Sequence, residues 1–267
     1  MGSLGSSNKG LAVVVGANKG IALGLCQVLL AEGYDVLATC RSTSPELDAT
    51  SAKVVQGVDV TSAAGLEPLL AALQSRSKVQ LLVVCAGYQK LDSLASVDTD
   101  DLDKHWQINA VGPVRVVQTL LPLLEDGKSK HTETEWLAAS EYKLRLTQVV
   151  ILSSKMGSQG AQDIPAGGGL YGYRMSKTAL NMAGKLLAED LAGRGIPVGI
   201  VHPGPVHTDM LRSLRISRGV TDESKLAAGT ISVEQSSASI CSYIATKLDM
   251  STSGQFWAAD TDKVLPW

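Results

Sequence analysis

The stretch Leu11-Ala-Val-Val-Val-Gly-Ala-Asn-Lys-Gly20 decides the fold predicted for this chain. Its first five residues are all apolar, as expected of a strand that is buried on both faces of a parallel sheet. Gly16 and Gly20 permit a tight turn, and an apolar-periodic segment continues to about Glu32. Strand, glycine-rich turn and helix form the first half of a dinucleotide-binding unit, in which the helix N-terminus receives a pyrophosphate. A glycine turn alone is a weak signal, but its position directly after the first strand strengthens the prediction.

Apolar strands alternate with helical segments along the rest of the chain. This alternation predicts an α/β fold, a single-domain doubly wound parallel sheet of about seven strands with helices on both faces. We expect the domain to span residues 10–267, after a flexible Gly/Ser-rich leader at 1–9. A charged stretch at about 127–147 is interpreted as a surface insertion. A helical pattern at 101–124 is expected to bend at Pro113, and residues 212–230, which lack a clean period, are expected to be mobile.

Composition restricts the function classes. The 267 residues carry a net charge of -2 without a long basic or acidic run, which argues against nucleic acid or an anionic membrane as the main partner. No apolar run approaches the roughly 20 residues that a membrane helix needs. The four cysteines lack C-x-x-C spacing and the four histidines lack metal-ligand spacing, so we expect neither a disulfide framework nor a metal site. These features predict a globular cytoplasmic protein.

The end of the second predicted strand indicates which cofactor binds. NAD sites place an acidic residue there for the ribose 2′-hydroxyl, whereas NADP sites place an arginine nearby for the 2′-phosphate. This chain has Thr39-Cys-Arg41-Ser42 at that point, and Lys19 adds a second cation from the glycine turn. Guanidinium suits phosphate because it donates two parallel hydrogen bonds. We therefore predict NADPH; the alternative is that Arg41 and Lys19 are ordinary solvated charges.

Tyr173 and Lys177 lie at the start of a long helical pattern. Residues four apart share one helix face, so the ammonium is expected near the phenol. A free phenol has a pKa of about 10, and a nearby cation lowers it, which allows proton transfer near neutral pH. Carbonyl reduction and alcohol oxidation both need such a transfer. Two surface residues on an amphipathic helix are the alternative, and the pair alone favours that alternative. Tyr171 is a poorer candidate because its i+4 partner is Met175.

An ordered series of motifs resembles the short-chain dehydrogenase/reductase family, over essentially Gly10 to the C-terminus. The series contains a cofactor turn, an adenine contact, a strand-end Cys-Ala-Gly, a helix asparagine, a serine, the tyrosine–lysine pair and a nicotinamide loop. In chain order these are Gly16-x-x-x-Gly20-Ile21, Asp59-Val60, Cys85-Ala86-Gly87, Asn109, Ser154, Tyr173-x-x-x-Lys177 and Pro203-Gly204-x-Val206-x-Thr208. The Tyr-Arg-x-Ser-Lys form and the final Leu-Pro-Trp are most similar to carbonyl reductases of the C-factor/sniffer type. The resemblance implies a Rossmann fold.

The resemblance also implies roles. Tyr173 donates a proton to the substrate carbonyl as hydride leaves the nicotinamide, while Lys177 lowers the tyrosine pKa and holds the ribose. Ser154 stabilises the developing negative charge. Asn109 holds a water in a proton relay to Lys177, and Thr208 contacts the carboxamide. The implied cofactor-binding set is Gly16, Asn18, Lys19, Gly20, Ile21, Arg41, Asp59, Val60, Ala86, Gly87, Asn109, Tyr173, Lys177, Pro203, Gly204, Val206 and Thr208. A homodimer or homotetramer through the helices bearing Asn109 and Tyr173 is implied as well.

The chain departs from the family pattern in two places that bear on the site. Cys85 stands where the family usually has asparagine, which removes an amide that ties central strands together. Ser154 and Tyr173 are 19 residues apart, longer than usual, and the run at 166–169 is expected to bulge beside the substrate. Ser153 is an alternative serine, but successive strand residues point to opposite faces and Ser154 is preferred.

Three functions stay open at this point. The first is an NADPH-dependent carbonyl reductase acting on a ketone or aldehyde, and the second is a related enzyme that oxidises a secondary alcohol. The third is a catalytically quiet NADP(H)-sensing or signalling protein on the same fold. The intact set Asn109, Ser154, Tyr173 and Lys177 argues against the third. His202 and His207 are interpreted as structural or substrate-facing, and the identity of the small-molecule substrate is not defined by the sequence.

Overall fold

The computed structural model describes residues 9–76, 78–125, 147–161 and 168–267. The predicted leader, apart from Lys9, therefore lies outside the described residues. So does the predicted charged insertion, apart from Thr147. Two residues of the predicted bulge, 166 and 167, also lie outside.

The described strands form one eight-stranded sheet in the order β3-β2-β1-β4-β5-β6-β7-β8. Neighbours are parallel throughout except for β7 and β8, which pair antiparallel. The doubly wound prediction is confirmed, with one strand more than expected; the extra strand has only two residues, too few to show a period. In chain order the strands are β1 Leu11–Val15, β2 Asp35–Thr39, β3 Lys53–Val55, β4 Leu81–Val84, β5 Gln148–Leu152, β6 Val198–His202, β7 Phe256–Ala258 and β8 Lys263–Val264.

Helices alternate with these strands as the sequence pattern predicts. In chain order they are α1 Gly20–Ala31, α2 Pro45–Asp48, α3 Glu67–Leu73, α4 Thr99–His105, α5 Gly112–Leu124, α6 Tyr171–Ala192, α7 Asp209–Ser217, α8 Glu223–Leu226 and α9 Val233–Thr246. Short 3₁₀ turns occupy Ala64–Leu66 and Lys155–Gly157. A π-helical segment, Trp106–Val111, joins α4 to α5.

The sheet separates two apolar layers. Leu69 of α3, Leu120 of α5 and Leu180 of α6 pack on one face with the inward side chains of the strands. Leu25 of α1 and Tyr243 of α9 pack on the other face. The chain winds outward from β1 to β3 and then restarts at β4 on the other side of β1. Loops that leave β1 and β4 therefore diverge, and this switch point opens a crevice at the carboxyl edge of the sheet.

Two stretches, 101–124 and 212–230, have a helical structure that their sequence pattern did not define. The pattern at 101–124 is not one bent helix, because the π-helical segment divides it and Pro113 lies in the first turn of α5, where proline is well tolerated. Residues 212–230, whose sequence lacks a clean period, contain most of α7 and all of α8, and their mobility stays a prediction. The period is hard to detect there because α7 spans nine residues and buries Leu214 alone, after a cap formed by Thr208.

Candidate active site

The glycine turn after β1 brings the backbone close to the strand-end segment that follows β4. Gly16 has a φ of +87°, which favours glycine. A Cβ at this position would lie 2.9 Å from the backbone of Ala86, so a side chain does not fit. The N–H of Gly16 also donates to the carbonyl of Thr39 at 2.9 Å, which joins the ends of β1 and β2. The turn therefore presents bare backbone at the switch point.

A cleft of about 480 Å³ opens beside this turn. Seven residues predicted to bind the cofactor line it: Gly16, Asn18, Arg41, Asp59, Val60, Ala86 and Gly87. The structure adds further lining residues that the sequence did not single out for binding, among them Thr61, Tyr88, Lys104 and Ile108. The predicted adenosine half of the site is thus gathered into one cavity. The predicted residues that follow β6 do not line it.

Asp59 lines this cleft and is held there by Thr61. Its Oδ1 accepts hydrogen bonds from the Thr61 N–H at 2.9 Å and from the Thr61 hydroxyl at 2.8 Å. The bond from the Thr61 backbone is the main reason that the pKa of Asp59 is lowered, with a smaller contribution from Arg41. The next residue, Val60, accepts a bond from the Arg115 guanidinium through its carbonyl at 2.5 Å. Asp59 therefore stays ionised and its backbone is held in place.

The two predicted phosphate cations occupy different places. Arg41 lines the cleft, next to Ser42. The Lys19 ammonium instead pairs with Oδ2 of Asp209 at 3.1 Å, and both side chains are largely exposed. This ion pair joins the glycine turn to the start of α7. A Cβ at Gly20 would lie 3.5 Å from the methyl of Thr208, so the two loops meet beneath the ion pair.

The predicted nicotinamide loop after β6 is hydrogen-bonded to α9 and to α7, the helix that follows it. The Pro203 carbonyl accepts a bond from Ser236 at 2.7 Å, and the Ile21 carbonyl accepts one from Ser237 at 3.3 Å. Val206 forms an isolated β-bridge with Ile231. Gly204, which lies between β6 and Val206, has a positive φ of 91°. The Thr208 hydroxyl caps α7 by accepting from the Leu211 N–H at 3.4 Å.

The predicted catalytic groups Ser154, Tyr173 and Lys177 meet at the carboxyl end of β5, and all three are buried. The Tyr173 phenol is hydrogen-bonded to Ser154. The Lys177 ammonium lies 5.9 Å from the centre of the Tyr173 ring and donates to the Leu152 carbonyl at 2.8 Å. The Lys177 ammonium is thus held by the last residue of β5, which Ser153 and Ser154 follow in the chain.

The electrostatics of this group differ from the sequence expectation. Burial raises the pKa of Tyr173, although the hydrogen bond with Ser154 acts in the opposite direction. The predicted lowering of the Tyr173 pKa by Lys177 is therefore wrong for this structure, because removal from water penalises the phenolate more strongly. The same burial lowers the pKa of Lys177 to about 8. Tyr173 is held as a phenol, which is the form that donates a proton.

Asn109 lies in the π-helical segment, and its side-chain amide is hydrogen-bonded to other residues of the protein. Its Nδ2 donates to the Tyr88 carbonyl at 2.8 Å and to the Ser176 hydroxyl at 3.0 Å. Its Oδ1 accepts from the Tyr88 N–H at 2.7 Å. Both N–H groups of the amide are committed, so the water predicted for Asn109 has neither of them available. π-helical segments are frequent at functional sites.

The alternatives weighed from the sequence also have definite places. The buried Ser153 hydroxyl donates to Oδ1 of Asn181 at 2.5 Å, a structural bond between β5 and α6. Tyr171, the poorer tyrosine candidate, begins α6. Cys85 donates its backbone N–H to the Val15 carbonyl at 2.9 Å, which ties β4 to β1 without the usual amide. Burial raises the pKa of its thiol.

Sequence reasoning missed the residues that hold the start of α6. Asp92, from the loop after β4, accepts from the Tyr171 N–H at 2.5 Å through Oδ1 and from the Gly172 N–H at 3.1 Å through Oδ2. His105, at the end of α4, packs against Gly172, where a Cβ would lie 2.5 Å from Nδ1. Neither contact has a local signal, because 79 residues separate Asp92 from Tyr171.

An apolar cluster closes over Tyr173. Leu170, Tyr173 and Leu214 are buried together, and Leu91, Met156 and Leu211 pack against them. These residues come from the loop after β4, the turn after Ser154, the start of α6 and the inner side of α7. The region next to the phenol is therefore walled by aliphatic side chains.

Comparison with known proteins places this arrangement in a family. The sequence profile of the family described as Enoyl-(Acyl carrier protein) reductase matches residues 15–261. This chain belongs to the short-chain dehydrogenase/reductase family. Among curated relatives of this family, 1-hydroxy-2-glutathionyl-2-methyl-3-butene dehydrogenase of Rhodococcus sp. (strain AD45) is 34% identical over 82% of this chain and 88% of its own length. The C-signal of Myxococcus xanthus is 38% identical over 49% of this chain and 68% of its own length.

Solved structures agree with the family assignment. An NADPH-bound carbonyl reductase from chicken fatty liver superposes with a TM-score of 0.74 at 27% identity, covering 96% of this chain and 98% of that one. The carbonyl reductase Sniffer of D. melanogaster superposes with a TM-score of 0.75 at 26% identity, covering 98% and 100%. The predicted similarity to short-chain dehydrogenases/reductases of the C-factor/sniffer type is confirmed.

The described residues also bear on metal binding and on membrane insertion. No group of three or more His, Cys, Asp or Glu side chains there is placed to hold a metal ion. Over the same residues, no helix has the length and apolar character needed to cross a membrane.

Proposed function

We propose that this short-chain dehydrogenase/reductase is an NADPH-dependent oxidoreductase that transfers hydride between nicotinamide and a carbonyl or secondary alcohol, with Tyr173 as general acid/base. The observation that carries the proposal is the buried contact among Ser154, Tyr173 and Lys177 at the carboxyl edge of β5. A phenol hydrogen-bonded to a serine and backed by a buried ammonium is suited to protonate a carbonyl oxygen.

The residues present fit a dinucleotide. At Gly16 the glycine turn lies so close to the backbone of Ala86 that a Cβ would not fit, which leaves the turn without a side chain as a dinucleotide-binding turn requires. The cleft beside it combines a guanidinium, a hydroxyl and an ionised carboxylate from Arg41, Ser42 and Asp59. We infer that Arg41 holds the 2′-phosphate of NADP, since guanidinium matches phosphate geometry and the strand end carries no acidic residue. The known NADPH-bound relative supports the same choice.

The remaining predicted contacts are kept within this proposal. Gly16, Asn18 and Gly20 would face the pyrophosphate, and Asp59, Val60, Ala86 and Gly87 the adenosine. Ile21, Pro203, Gly204, Val206 and Thr208 would surround the nicotinamide, which supplies the hydride when bound. Lys19 has a weaker case, because the ammonium already pairs with Asp209. The relay role of Asn109 stays a prediction.

The roles of the buried triad follow from its chemistry. Tyr173 gives its proton to the developing alkoxide, and Ser154 donates a second hydrogen bond to the same oxygen. Lys177, charged below a pKa of about 8, opposes the negative charge left on the phenolate. The aliphatic wall of Leu91, Leu211 and Leu214 favours a carbonyl compound with apolar substituents.

The proposal is tested by measuring NADPH consumption against a panel of ketones and aldehydes, and NADP reduction against matching alcohols. Tyr173→Phe is the test variant and Tyr171→Phe the matched control, two residues away on the same helix. We expect activity in the wild type and in the control and its loss in Tyr173→Phe. Tight NADPH binding without turnover in all three proteins would favour a catalytically quiet NADP(H)-sensing or signalling protein instead.

We further propose a homodimer or homotetramer formed through the helical segments that bear Asn109 and Tyr173, the second of which is α6. Met175, Met182 and Leu186 are more than half exposed and lie on one stripe of this helix. Trp106, at the start of the π-helical segment, is also exposed. Exposed apolar stripes of this kind commonly mark an interface. Sedimentation of the wild type and of Met182→Glu tests it: a shift to monomer in the variant is expected, and a wild-type monomer contradicts it.

The cytoplasm is the proposed location. The four cysteines are free thiols, and Cys26 and Cys40 are buried, as suits a reducing compartment. Cell fractionation tests this assignment. The predicted domain limits, 10–267 with a leader and an insertion at 127–147, are proposed likewise; limited proteolysis at 127–147 with an intact remainder supports them.

A further inference from the structure

The start of α6 has an unusual cap. Leu170, the residue before the helix, has a φ of +57° and no side-chain oxygen with which to accept hydrogen bonds. The first N–H groups of a helix need acceptors from elsewhere. Asp92 provides them from another part of the chain, through both carboxylate oxygens to Tyr171 and Gly172. Its own carbonyl accepts a third bond from the Leu170 N–H at 3.2 Å.

The segment that carries Asp92 is itself held firmly. The Lys90 N–H donates to Nε2 of His105 at 3.2 Å, while Nδ1 of the same ring bonds the Asp101 carbonyl at 2.6 Å. Nε2 is therefore the acceptor and Nδ1 the donor, which makes the ring neutral. Burial lowers the pKa of His105 and favours this neutral form. The cap is thus built from a fixed loop and is not a chance contact of a surface carboxylate; Asp92 is 9% exposed.

The position of this carboxylate has an electrostatic consequence. The N-terminus of a helix carries the equivalent of about half a positive charge, felt mainly within the first turn. Tyr173 is the third residue of α6 and therefore lies inside that first turn. A positive helix end favours phenolate, and a carboxylate placed on it favours the protonated phenol.

We propose that Asp92 is a positioning residue for Tyr173, whose carboxylate fixes the first turn of α6 and cancels the positive end of that helix so that Tyr173 remains a proton donor. This rests on the proposed function, in which Tyr173 is the acid of carbonyl reduction. It adds to that function a residue that acts on the proton affinity of the phenol without touching substrate.

Other charged and titratable groups lie on α6 and on the elements that pack around its start. These are Lys177 and Arg174 on α6, Lys155 beside Ser154, Cys85 after β4, His105 on α4 and Arg218 at the end of α7. Of these, the Lys177 ammonium lies 5.9 Å from the centre of the Tyr173 ring, and a cation so placed favours phenolate. The Asp101 carboxylate on α4 is paired with the Lys90 ammonium and the Tyr88 hydroxyl. Asp92 is thus the carboxylate among these described groups that bonds directly to the first turn of α6.

The test is Asp92→Asn, which removes the charge and keeps one oxygen that can accept from the first turn, although its NH2 group cannot accept the second N–H bond. Asp92→Ser is a second uncharged cap. Asp98→Asn is the matched control, since Asp98 caps α4 through the N–H groups of Asp100 and Asp101. Thermal unfolding of each variant confirms that it folds.

Two readouts separate this inference from the proposed function. The first is NMR titration of ring-labelled tyrosine, with Tyr173→Phe to assign the signal. We expect the Tyr173 titration to move down by about half a unit to one unit in Asp92→Asn, because the first turn of α6 loses a carboxylate that favours the neutral phenol. The second is the pH profile of kcat/KM for carbonyl reduction, whose descending limb should move by the same amount.

Asp98→Asn should leave both readouts unchanged. A Tyr173 titration that does not move in Asp92→Asn or Asp92→Ser, with folding intact, overturns the inference and leaves Asp92 a purely structural cap. A titration that moves in an enzyme without reductase activity supports the inference about Tyr173 and contradicts the proposed function.

Discussion

The Lys177 ammonium lies 5.9 Å from the centre of the Tyr173 ring, and both side chains are buried at the carboxyl end of β5. A cation so close to an aromatic ring is attracted to it. Burial penalises the charge on each group, so Tyr173 tends to stay neutral and Lys177 gives up its proton more easily than a free lysine. The Tyr173 phenol is therefore in the form that can donate a proton. The positive charge of Lys177 stabilises the phenolate that remains after this proton has left.

Lys177 should make stability depend on pH. Its pKa falls from 10.5 to about 8 on folding, so the unfolded chain binds more protons between those values. The contribution of Lys177 to the free energy of unfolding therefore increases as pH rises from 8 to 10.5. The same contribution is lost as pH falls back through 8. We expect Lys177→Met, measured by urea unfolding, to lose on the order of 2 kcal/mol of its stability relative to wild type between pH 8 and 9.5.

Lys185→Met is the matched control, because Lys185 lies on the same helix but is exposed. Its stability relative to wild type should not vary across this window. Taking the difference from wild type also cancels the buried cysteines, whose raised pKa values act in the opposite direction. A pH-independent difference for Lys177→Met would show that Lys177 is not buried as a titrating cation.

Ser154 and Ser153 should separate activity from stability. Ser154→Ala removes the hydroxyl that bonds Tyr173, and we expect a loss of about 100- to 1000-fold in kcat with little change in folding. Ser153→Ala breaks the buried bond with Asn181 and should instead lower the free energy of unfolding by about 1–3 kcal/mol while turnover persists. Steady-state kinetics and urea unfolding of both variants check this; the reverse pattern would make Ser153 the functional serine.

Arg41 should decide the choice between NADPH and NADH. Removal of a guanidinium that bonds a phosphate costs about 10- to 100-fold in affinity. Arg41→Ala should therefore lose that much affinity for NADPH and almost none for NADH, as measured by fluorescence titration. Arg76→Ala is the control, since Arg76 pairs with Asp35 at the start of β2. Lys19→Ala should have a smaller effect than Arg41→Ala, because Lys19 pairs with Asp209; equal losses would return Lys19 to the phosphate site.

Trp267 should stabilise the turn after Ser154. Its ring stacks on Phe256 at 5.9 Å, and its carbonyl accepts from the Gly160 N–H at 2.8 Å. The neighbouring Pro266 carbonyl accepts from Ser158 at 2.6 Å. Because Trp267 is 46% exposed, Trp267→Ala should cost only about 1–2 kcal/mol. Val264→Ala, at a similarly exposed apolar residue, should cost less. Equal losses would mean that the stacking contributes nothing.

The sequence was sufficient for the parts of the site that are local in the chain. Gly16 follows its strand directly, and Tyr173 and Lys177 share one helix face, so pattern and spacing placed them correctly. Arg41 was located by its distance from the end of β2. These predictions succeed because each depends on a few neighbouring residues whose geometry is fixed by a single strand or helix.

The parts that escaped prediction depend on contacts between distant segments. Asp92 caps a helix that begins 79 residues later, and no local motif announces such a bond. The sign of the Tyr173 pKa shift depends on burial by Leu214 and its neighbours, and α7 had itself been missed. The spacing correctly gave the proximity of the cation but could not give the balance between charge and desolvation.

The most direct test of the account is transfer of deuterium from C4-labelled NADPH to the carbonyl carbon of a reduced substrate, comparing wild type with Tyr173→Phe. We predict label in the alcohol product of the wild type and a rate at least 100-fold lower in Tyr173→Phe, with NADPH affinity unchanged. Label transfer at the wild-type rate in Tyr173→Phe would contradict the assignment of Tyr173 as the proton donor.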